Sequence, residues 1–413
     1  MNRYHTHTLG NGLRIVWLEH DCEVAYCGYA LRAGTRDERT EAGEGGLAHF
    51  CEHMTFKGTQ RRSSLQVINT LERIGGELNA FTAKEETVYY AAVLKQYFNR
   101  AVDLLTDIVF YSIYPDQAAD KEKEVVCDEI ESYNDSPAEL IYDKFEDCIF
   151  KGTSLGHSIL GEQNNVRSFT GDNCRIFTER MYIPENAVFY VVGDIDFFKL
   201  IKKLEVLTKP IQRDITYTKP LQSCITKEEM HSEVLTLNHS THQGHLMLGT
   251  TITKDIGRWR TPLFLTNNII GGPSMNSRLN VSLRERRGLV YTVESMVTTY
   301  TDALVWSVYL GCDKHDIEKC SRLVLNEMHR LQRSPLSASM LASAKKQIKG
   351  QMALAAQNKE SFAIDMAKYY LHYGELRDNT TLFEEIDRVT ADDIHTLMNT
   401  WLADERMTKV IIQ

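Results

Sequence analysis

The predicted strands and helices occur in the same order in both halves of the chain, and this repetition constrains the fold more than any other feature. Strands are recognised by short runs rich in β-branched and aromatic residues, and helices by apolar residues at a helical period. A repeated order predicts two α+β halves related by duplication. The matching elements, in the order strand, helix, strand, helix, are 27–31, 45–57, 87–94 and 97–111 in the first half and 244–251, 258–270, 301–310 and 317–331 in the second.

The division into halves also predicts domain boundaries. A chain of 413 residues is long for a single hydrophobic core. Residues 207–230 lack a periodic apolar pattern and contain Pro210, Pro220 and several threonines, which is typical of a linker. We therefore expect one domain at 1–206, a linker at 207–230 and a second domain at 231–413.

Composition excludes several classes of partner and location. The net charge of −9 argues against a nucleic-acid groove and against binding to an anionic membrane surface. No stretch approaches the roughly 18 apolar residues that a membrane span requires, and the polar residues at 1–5 do not predict a signal peptide. Nine cysteines without paired spacing indicate reduced thiols. These features together predict a cytoplasmic protein.

The string His49-Phe50-Cys51-Glu52-His53 carries the strongest chemical signal. Histidines four residues apart share one face of a helix, and two imidazoles at that spacing can bind one Zn²⁺. Glu52 can project toward the same site. Its carboxylate can take the proton of a zinc-bound water as the hydroxide attacks a carbonyl group. The order His-x-x-Glu-His is the reverse of the commoner metallopeptidase motif.

A catalytic zinc site requires a third protein ligand and an open coordination position. The acidic run at 121–131 supplies candidates, and its Val125, Val126 and Ile130 indicate a helix with one buried side. Glu122 and Glu129 are two helical turns apart and share a face. Spacing alone does not select among the candidate third ligands, which are Glu124, Glu129 and Glu131.

These motifs resemble the pitrilysin/insulinase family of inverted-motif zinc peptidases. The similarity is strongest to the short, two-domain branch that includes the mitochondrial processing peptidase subunits. It extends over nearly the whole chain and includes the string Gly75–Thr82 and the string Tyr190–Asp194. The resemblance implies that Glu129 is the third zinc ligand and that Glu122 is a supporting glutamate. It also implies one Zn²⁺ per chain.

The resemblance assigns further residues to the substrate. It implies that Asn79, Ala80 and Phe81 lie on an active-site edge strand, which pairs with the backbone of a peptide substrate. It also implies that Arg284 and Tyr291 hold the substrate carbonyl and stabilise the developing oxyanion. Considered alone, the basic stretch around Arg284 reads as a helix that ends at Gly288 and needs no function.

The sequence therefore predicts a zinc-dependent endopeptidase. We expect an α+β fold of two homologous halves, each a mostly antiparallel sheet packed with helices, and together forming a clam-like chamber. The substrates would be peptides or unfolded segments. The alternative is a non-catalytic or substrate-presenting subunit of a processing-peptidase-like complex, but such chains usually lack part of the ligand set. The chain retains both the zinc ligands and the Arg284–Tyr291 pair. This favours a homodimer over a heterodimer with a related chain.

Overall fold

A computed structural model describes residues 4–211 and 232–413. The chain divides into two compact units. The predicted linker lies outside the described residues from position 212 onward, and its first two residues belong to the end of a helix. The first unit takes in the described residues of Met1–Glu131, His157–Leu221 and Ala355–Asp378, and the second those of Ser132–Gly156, Gln222–Leu354 and Asn379–Gln413.

Each unit is built on one sheet, and the described residues form eleven strands in all. Most are short segments rich in Val, Tyr, Thr and Ile, as expected for a half-buried pleated surface. The strands are β1 (Tyr4–Thr8), β2 (Arg14–Glu19), β3 (Val24–Leu31), β4 (Glu77–Thr82), β5 (Thr87–Leu94), β6 (Ala187–Gly193), β7 (Val234–Leu237), β8 (Gln243–Ile252), β9 (Val290–Thr299), β10 (Leu304–Asp313) and β11 (Thr408–Ile412).

The described part of the chain contains fourteen α-helices. No helix there is both long and apolar enough to cross a membrane. The helices are α1 (Leu47–Thr55), α2 (Ser64–Glu72), α3 (Phe98–Tyr111), α4 (Asp116–Asn134), α5 (Pro137–Ile149), α6 (Gln163–Ser168), α7 (Gly171–Met181), α8 (Phe197–Thr208), α9 (Ile256–Gly271), α10 (Ile317–Arg333), α11 (Ala338–Ala355), α12 (Lys359–Tyr373), α13 (Asn379–Arg388) and α14 (Ala391–Thr400).

The two sheets have the same topology. In the first unit the strand order is β1-β2-β6-β3-β5-β4, and in the second it is β7-β11-β8-β10-β9. The pair β2/β6 is parallel, as is β7/β11, while every other pair is antiparallel. Apart from the additional β1, each strand of one sheet therefore has a counterpart in the other. This correspondence confirms the predicted α+β fold with two homologous halves.

Helix α5, from the first half of the sequence, belongs to the second unit, and helix α12, from the second half, belongs to the first unit. Helix α5 packs against β8 and β11, where Phe145 is fully buried beside Met247 and Val410. Helix α12 packs against β3 and β6, with Ala363 and Ala367 fully buried. The boundaries of the compact units therefore do not coincide with a division of the chain into 1–206 and 231–413. The difference is that each unit includes one helix from the other half of the sequence.

The core of the first unit holds the motif helix in place. Helix α1 buries Phe50, Cys51 and Met54 among the apolar side chains of the sheet and of its neighbouring helices. Phe50 packs against Phe169, with ring centroids 5.4 Å apart. Fully burying a phenylalanine of this kind contributes about 1.5–3 kcal/mol. The buried face of α1 leaves its opposite face to carry polar side chains.

Candidate metal centre

Helix α1 begins where the backbone allows only glycine. Gly46 precedes the helix with a φ of 92°, in the left-handed region. A Cβ there would lie 2.7 Å from the Leu160 carbonyl oxygen and 2.8 Å from the Gly161 Cα, so a larger residue does not fit. The helix then runs through the His-x-x-Glu-His string. Because its apolar positions face the core, His49 and His53 share the other face, with ring centroids 4.6 Å apart.

The structure brings the two histidines together with Glu129 of α4. The Glu129 Oε2 atom lies 3.8 Å from the His49 Nε2 atom and 3.6 Å from the His53 Nε2 atom. One ligand atom from each of the three residues lies within 4.8 Å of the others. Ligands held about 2.0–2.2 Å from a tetrahedral zinc lie about 3.3–3.6 Å from one another. The spacing of these atoms therefore fits one zinc ion.

Glu122 holds the second histidine from behind. Its Oε1 atom is 2.9 Å from the His53 Nδ1 atom, and its Oε2 atom is 2.5 Å from the Lys57 Nζ atom. A carboxylate on the second nitrogen fixes the tautomer and the orientation of a metal-binding imidazole. Burial would raise the pKa of Glu122, but the hydrogen bonds from His53 and Lys57 outweigh it and lower that pKa overall. Glu122 is thus an ionised carboxylate that contacts both His53 and Lys57.

The surroundings shift the pKa values of the two histidines in opposite directions. Burial, with a smaller contribution from His53, lowers the pKa of His49 to about 3. His49 is therefore neutral at physiological pH, and its lone pair is free for a metal. Burial also lowers the pKa of His53, but the hydrogen bond to Glu122 and the charges of Glu52 and Glu129 raise it overall. Those carboxylates would equally favour a bound cation.

The rival third ligands point to other partners. The Glu124 carboxylate accepts hydrogen bonds from Arg167 at 2.9 and 3.2 Å. The Glu131 Oε1 atom accepts a hydrogen bond from the Gln163 side chain at 2.9 Å. Glu129, whose side chain is 44% exposed, is the member of this run that faces both histidines. The geometry thus separates three candidates that spacing left equivalent.

Glu52 lies beside the histidines in a largely dry position. Its side chain is buried, and its Oε2 atom accepts a hydrogen bond from the Thr82 hydroxyl at 3.3 Å. Burial raises the pKa of Glu52, and the charge of Glu129 acts in the same direction, while His53 and Thr82 oppose them. A carboxylate with a raised pKa accepts a proton more readily at neutral pH. This is the property required of a general base.

The strand that contains Asn79, Ala80 and Phe81 lies at the edge of the first sheet. Within the described residues, β4 pairs only with β5, so its other side is open. The Ala80 backbone N–H donates to the Asn79 side-chain oxygen at 2.8 Å. The same strand ends at Thr82, which bonds to Glu52. An open strand edge therefore runs toward the candidate base.

Arg284 and Tyr291 both lie in the second unit and are exposed to solvent. Arg284 belongs to a π-helical turn at Asn280–Glu285, and Tyr291 is the second residue of β9. The Tyr291 hydroxyl donates to the Asp313 Oδ1 atom at 2.8 Å. This hydrogen bond raises the pKa of Tyr291, which keeps the phenol protonated as a donor. Their role toward a substrate stays a prediction.

Sequence reasoning missed two residues of this centre. Lys57 follows His53 by one helical turn and binds Glu122, and the i,i+4 spacing from the motif is a signal that could have identified it. Thr82 ends the edge strand and donates to Glu52. Thr82 carries no local signal, because its contact depends on how β4 packs against α1.

A His-x-x-Glu-His helix with a glutamate from a second helix defines the class of inverted-motif zinc centres. Comparison with family models identifies the family. Residues 15–163 match the model of the insulinase family, peptidase family M16, and residues 168–348 match that of the peptidase M16 inactive domain. The chain belongs to peptidase family M16.

Relatives with similar sequences carry names of the same kind. The chain is 33% identical over 393 residues to the uncharacterized zinc protease YmxG of Bacillus subtilis. The alignment covers 95% of this chain and 94% of the relative. It is 30% identical over 380 residues to an uncharacterized zinc protease of Rickettsia bellii, covering 92% and 90%. These names support zinc as the metal of the family.

Solved structures share the fold. A protease from Helicobacter pylori aligns with a TM-score of 0.92 at 18% identity, over 100% of this chain and 99% of that chain. A peptidase M16 inactive domain from Pseudomonas fluorescens aligns with a TM-score of 0.88 at 17% identity, over 99% and 98%. At this level of identity the likeness shows the fold alone.

The contact between Glu122 and His53 predicts a specific loss of metal affinity. Glu122→Gln should weaken zinc binding by about 10–100-fold, because His53 loses the carboxylate that orients it. Competition with a chromogenic chelator measures the zinc dissociation constant. Glu124→Gln is the matched control, since Glu124 lies on the same helix but binds Arg167. Equal affinities in the two variants would contradict a supporting role for Glu122.

Proposed function

We propose that this protein is a zinc-dependent endopeptidase that hydrolyses peptide bonds in peptides or unfolded segments, with one Zn²⁺ per chain. The observation that carries the proposal is the convergence of His49, His53 and Glu129 within 4.8 Å, with the buried Glu52 beside them. Three protein ligands leave a fourth position open, which is the arrangement of catalytic rather than structural zinc. The names of the relatives agree with this proposal.

Each side chain would have a separate role in hydrolysis. Zinc, when bound, would polarise the substrate carbonyl and lower the pKa of its bound water. Glu52 would accept the proton of the attacking water and later return it to the leaving amine. Glu122 would keep the His53 ring oriented throughout. Thr82 would hold the Glu52 carboxylate through its hydroxyl.

The open edge of β4 supports a preference for extended substrates. A peptide that adds to a strand edge uses its own backbone groups and must be extended. A folded protein has few such segments available. We therefore propose that Asn79, Ala80 and Phe81 align the substrate backbone, and that the substrate is enclosed during cleavage.

Arg284 and Tyr291 enter the proposal as groups that bind the substrate carbonyl. A guanidinium and a phenol can both donate hydrogen bonds to a developing oxyanion. Their exposure leaves them accessible to a ligand. In this account the second unit contributes to catalysis although its helix α9 has no His or Glu at 263–270.

A homodimer and a cytoplasmic location complete the proposal, and a heterodimer with a related chain is the alternative. A non-catalytic, substrate-presenting subunit would be expected to lack part of the ligand set, whereas this chain retains all of it together with the base. Native mass spectrometry of the purified protein distinguishes the homodimer from the heterodimer.

Glu52→Gln is expected to keep zinc and to lose about 10²–10⁴ in kcat, because the amide cannot accept the proton of the attacking water. The measurement combines zinc analysis of the purified protein with cleavage of a mixed peptide library, with and without chelator. His49→Ala serves as a comparison that should lose both zinc and activity. Wild-type turnover by Glu52→Gln would remove Glu52 as the base.

Tyr291→Phe is expected to lower kcat far more than it raises KM, since a donor to the oxyanion acts mainly in the transition state. One such donor contributes roughly 3–4 kcal/mol. Zinc content should not change. Tyr142→Phe is a matched control, because the Tyr142 hydroxyl bonds a carboxylate, that of Glu294, at 3.1 Å in the same unit. If both variants keep a normal kcat, the Tyr291 hydroxyl has no part in the chemistry.

A further inference from the structure

The segment Gly34–Glu38, called here the strut, contacts the start of the motif helix through a buried carboxylate. The Glu38 Oε1 atom accepts a hydrogen bond from the Ala48 N–H at 2.8 Å, and its Oε2 atom accepts one from the Gly46 N–H at 3.0 Å. Helix α1 has no side-chain cap of its own, because glycine occupies that position. Glu38 therefore supplies from a distance the hydrogen-bond cap that α1 lacks.

A histidine also contacts the same carboxylate. The His157 Nε2 atom lies 2.9 Å from the Glu38 Oε2 atom, and the Glu38 side chain is 0% exposed. Hydrogen bonds in a dry environment are electrostatically stronger than the same bonds in water. Glu38 thus has little freedom, and neither has the first turn of α1, which leads directly into His49.

The opposite end of the strut is bonded to the turn of the β4–β5 hairpin. The Arg36 N–H donates to the Lys84 carbonyl oxygen at 2.8 Å, and the Thr35 N–H donates to the Ala83 carbonyl oxygen at 3.3 Å. The Arg36 side chain pairs with Glu85 at 2.6 Å, and both side chains are buried. This turn follows directly on the edge strand that ends at Thr82.

Gly34 shows how closely the strut and the turn approach each other. A Cβ at Gly34 would lie 2.4 Å from the Lys84 carbonyl oxygen and 2.6 Å from that of Ala83. Its backbone is extended, with φ −129° and ψ −173°, which any residue can adopt. The position therefore requires glycine because of the neighbouring backbone and not because of its own dihedral angles.

We propose that the strut sets the spacing between the edge strand and the metal-binding helix, with Glu38 as a positioning residue for the metal ligands and Gly34 for the edge. The inference rests on the proposed function, in which the edge strand aligns the peptide and α1 carries the zinc ligands and the base. A misplacement of about 1 Å between substrate and catalytic groups can reduce the rate by about 10²-fold. The strut is short and largely buried, and it bonds to both α1 and the β4–β5 turn. It is therefore suited to prevent such a misplacement.

The first experiment replaces the carboxylate with its amide. In Glu38→Gln one of the two acceptor atoms becomes an NH₂ group, so at least one of the bonds to the α1 amides is lost. We expect faster hydrogen exchange at the amides of residues 46–50 in the metal-free protein. We also expect about tenfold weaker zinc binding, and a lower kcat with little change in KM.

Asp107→Asn is the matched control. The Asp107 side chain is also 0% exposed and accepts hydrogen bonds from Thr59 at 2.7 Å and Arg61 at 2.9 Å, both outside α1. It should lower the melting temperature while leaving amide exchange in α1, zinc affinity and kcat unchanged. If Glu38→Gln also changes only the melting temperature, Glu38 is merely structural and the inference is wrong. Should Glu38→Gln not fold, His157→Gln is measured in the same way and judged by the same criteria.

The second experiment acts on the hairpin end of the strut. Gly34→Ala should raise KM by displacing the β4–β5 turn, while zinc affinity stays at the wild-type value. Gly10→Ala is the control, because a Cβ at Gly10 meets no atom within 4 Å. An unchanged KM in Gly34→Ala would overturn the role of the strut in placing the edge.

The two proposals fail in distinguishable ways. If the wild-type protein neither binds zinc nor cleaves peptides, the proposed function is wrong. The exchange measurement on Glu38→Gln still tests whether the strut orders α1. If the wild type binds zinc and cleaves peptides but all strut variants match their controls, only the inference about the strut fails.

Discussion

The candidate metal centre depends on one hydrogen bond, between the Nδ1 atom of His53 and the Oε1 atom of Glu122. It joins two helices that are distant in the sequence, and Lys57 completes it on the other carboxylate oxygen. Because Glu122 and Glu129 are two turns apart on α4, the bond that orients His53 also brings Glu129 to the face of α1 that carries both histidines. The same contact that orients the His53 ring thus also places Glu129, the predicted third ligand.

The rest of the first unit keeps α1 where this contact can form. Its apolar face is buried in the core, its start is capped by Glu38, and Thr82 of the edge strand bonds its glutamate. Polar groups that are buried and fully bonded specify one arrangement more sharply than apolar packing does. The burial that positions Glu52 also raises its pKa, so one cause accounts both for its place in the fold and for the property that suits it to the proposed role of base.

Local pattern predicted much of this arrangement, and long-range contacts account for the rest. The limits of β5 follow from a short run rich in β-branched and aromatic residues, and the topology of the two sheets confirms the predicted duplication. The choice of Glu129 over Glu124 needed a family resemblance. Spacing does not reveal that the Glu124 side chain binds Arg167. The sequence of α5 does not predict that it packs on the second sheet, because its apolar face would suit either sheet.

The central claim is that α1 and α4 together form a single zinc centre. Anomalous X-ray diffraction from crystals of the purified protein, recorded on both sides of the zinc absorption edge, tests it directly. The account predicts one anomalous peak in the first unit, at about 2.0–2.2 Å from a nitrogen of His49, a nitrogen of His53 and an oxygen of Glu129. A peak at other residues, or fully occupied zinc without Glu129 among its ligands, would contradict it.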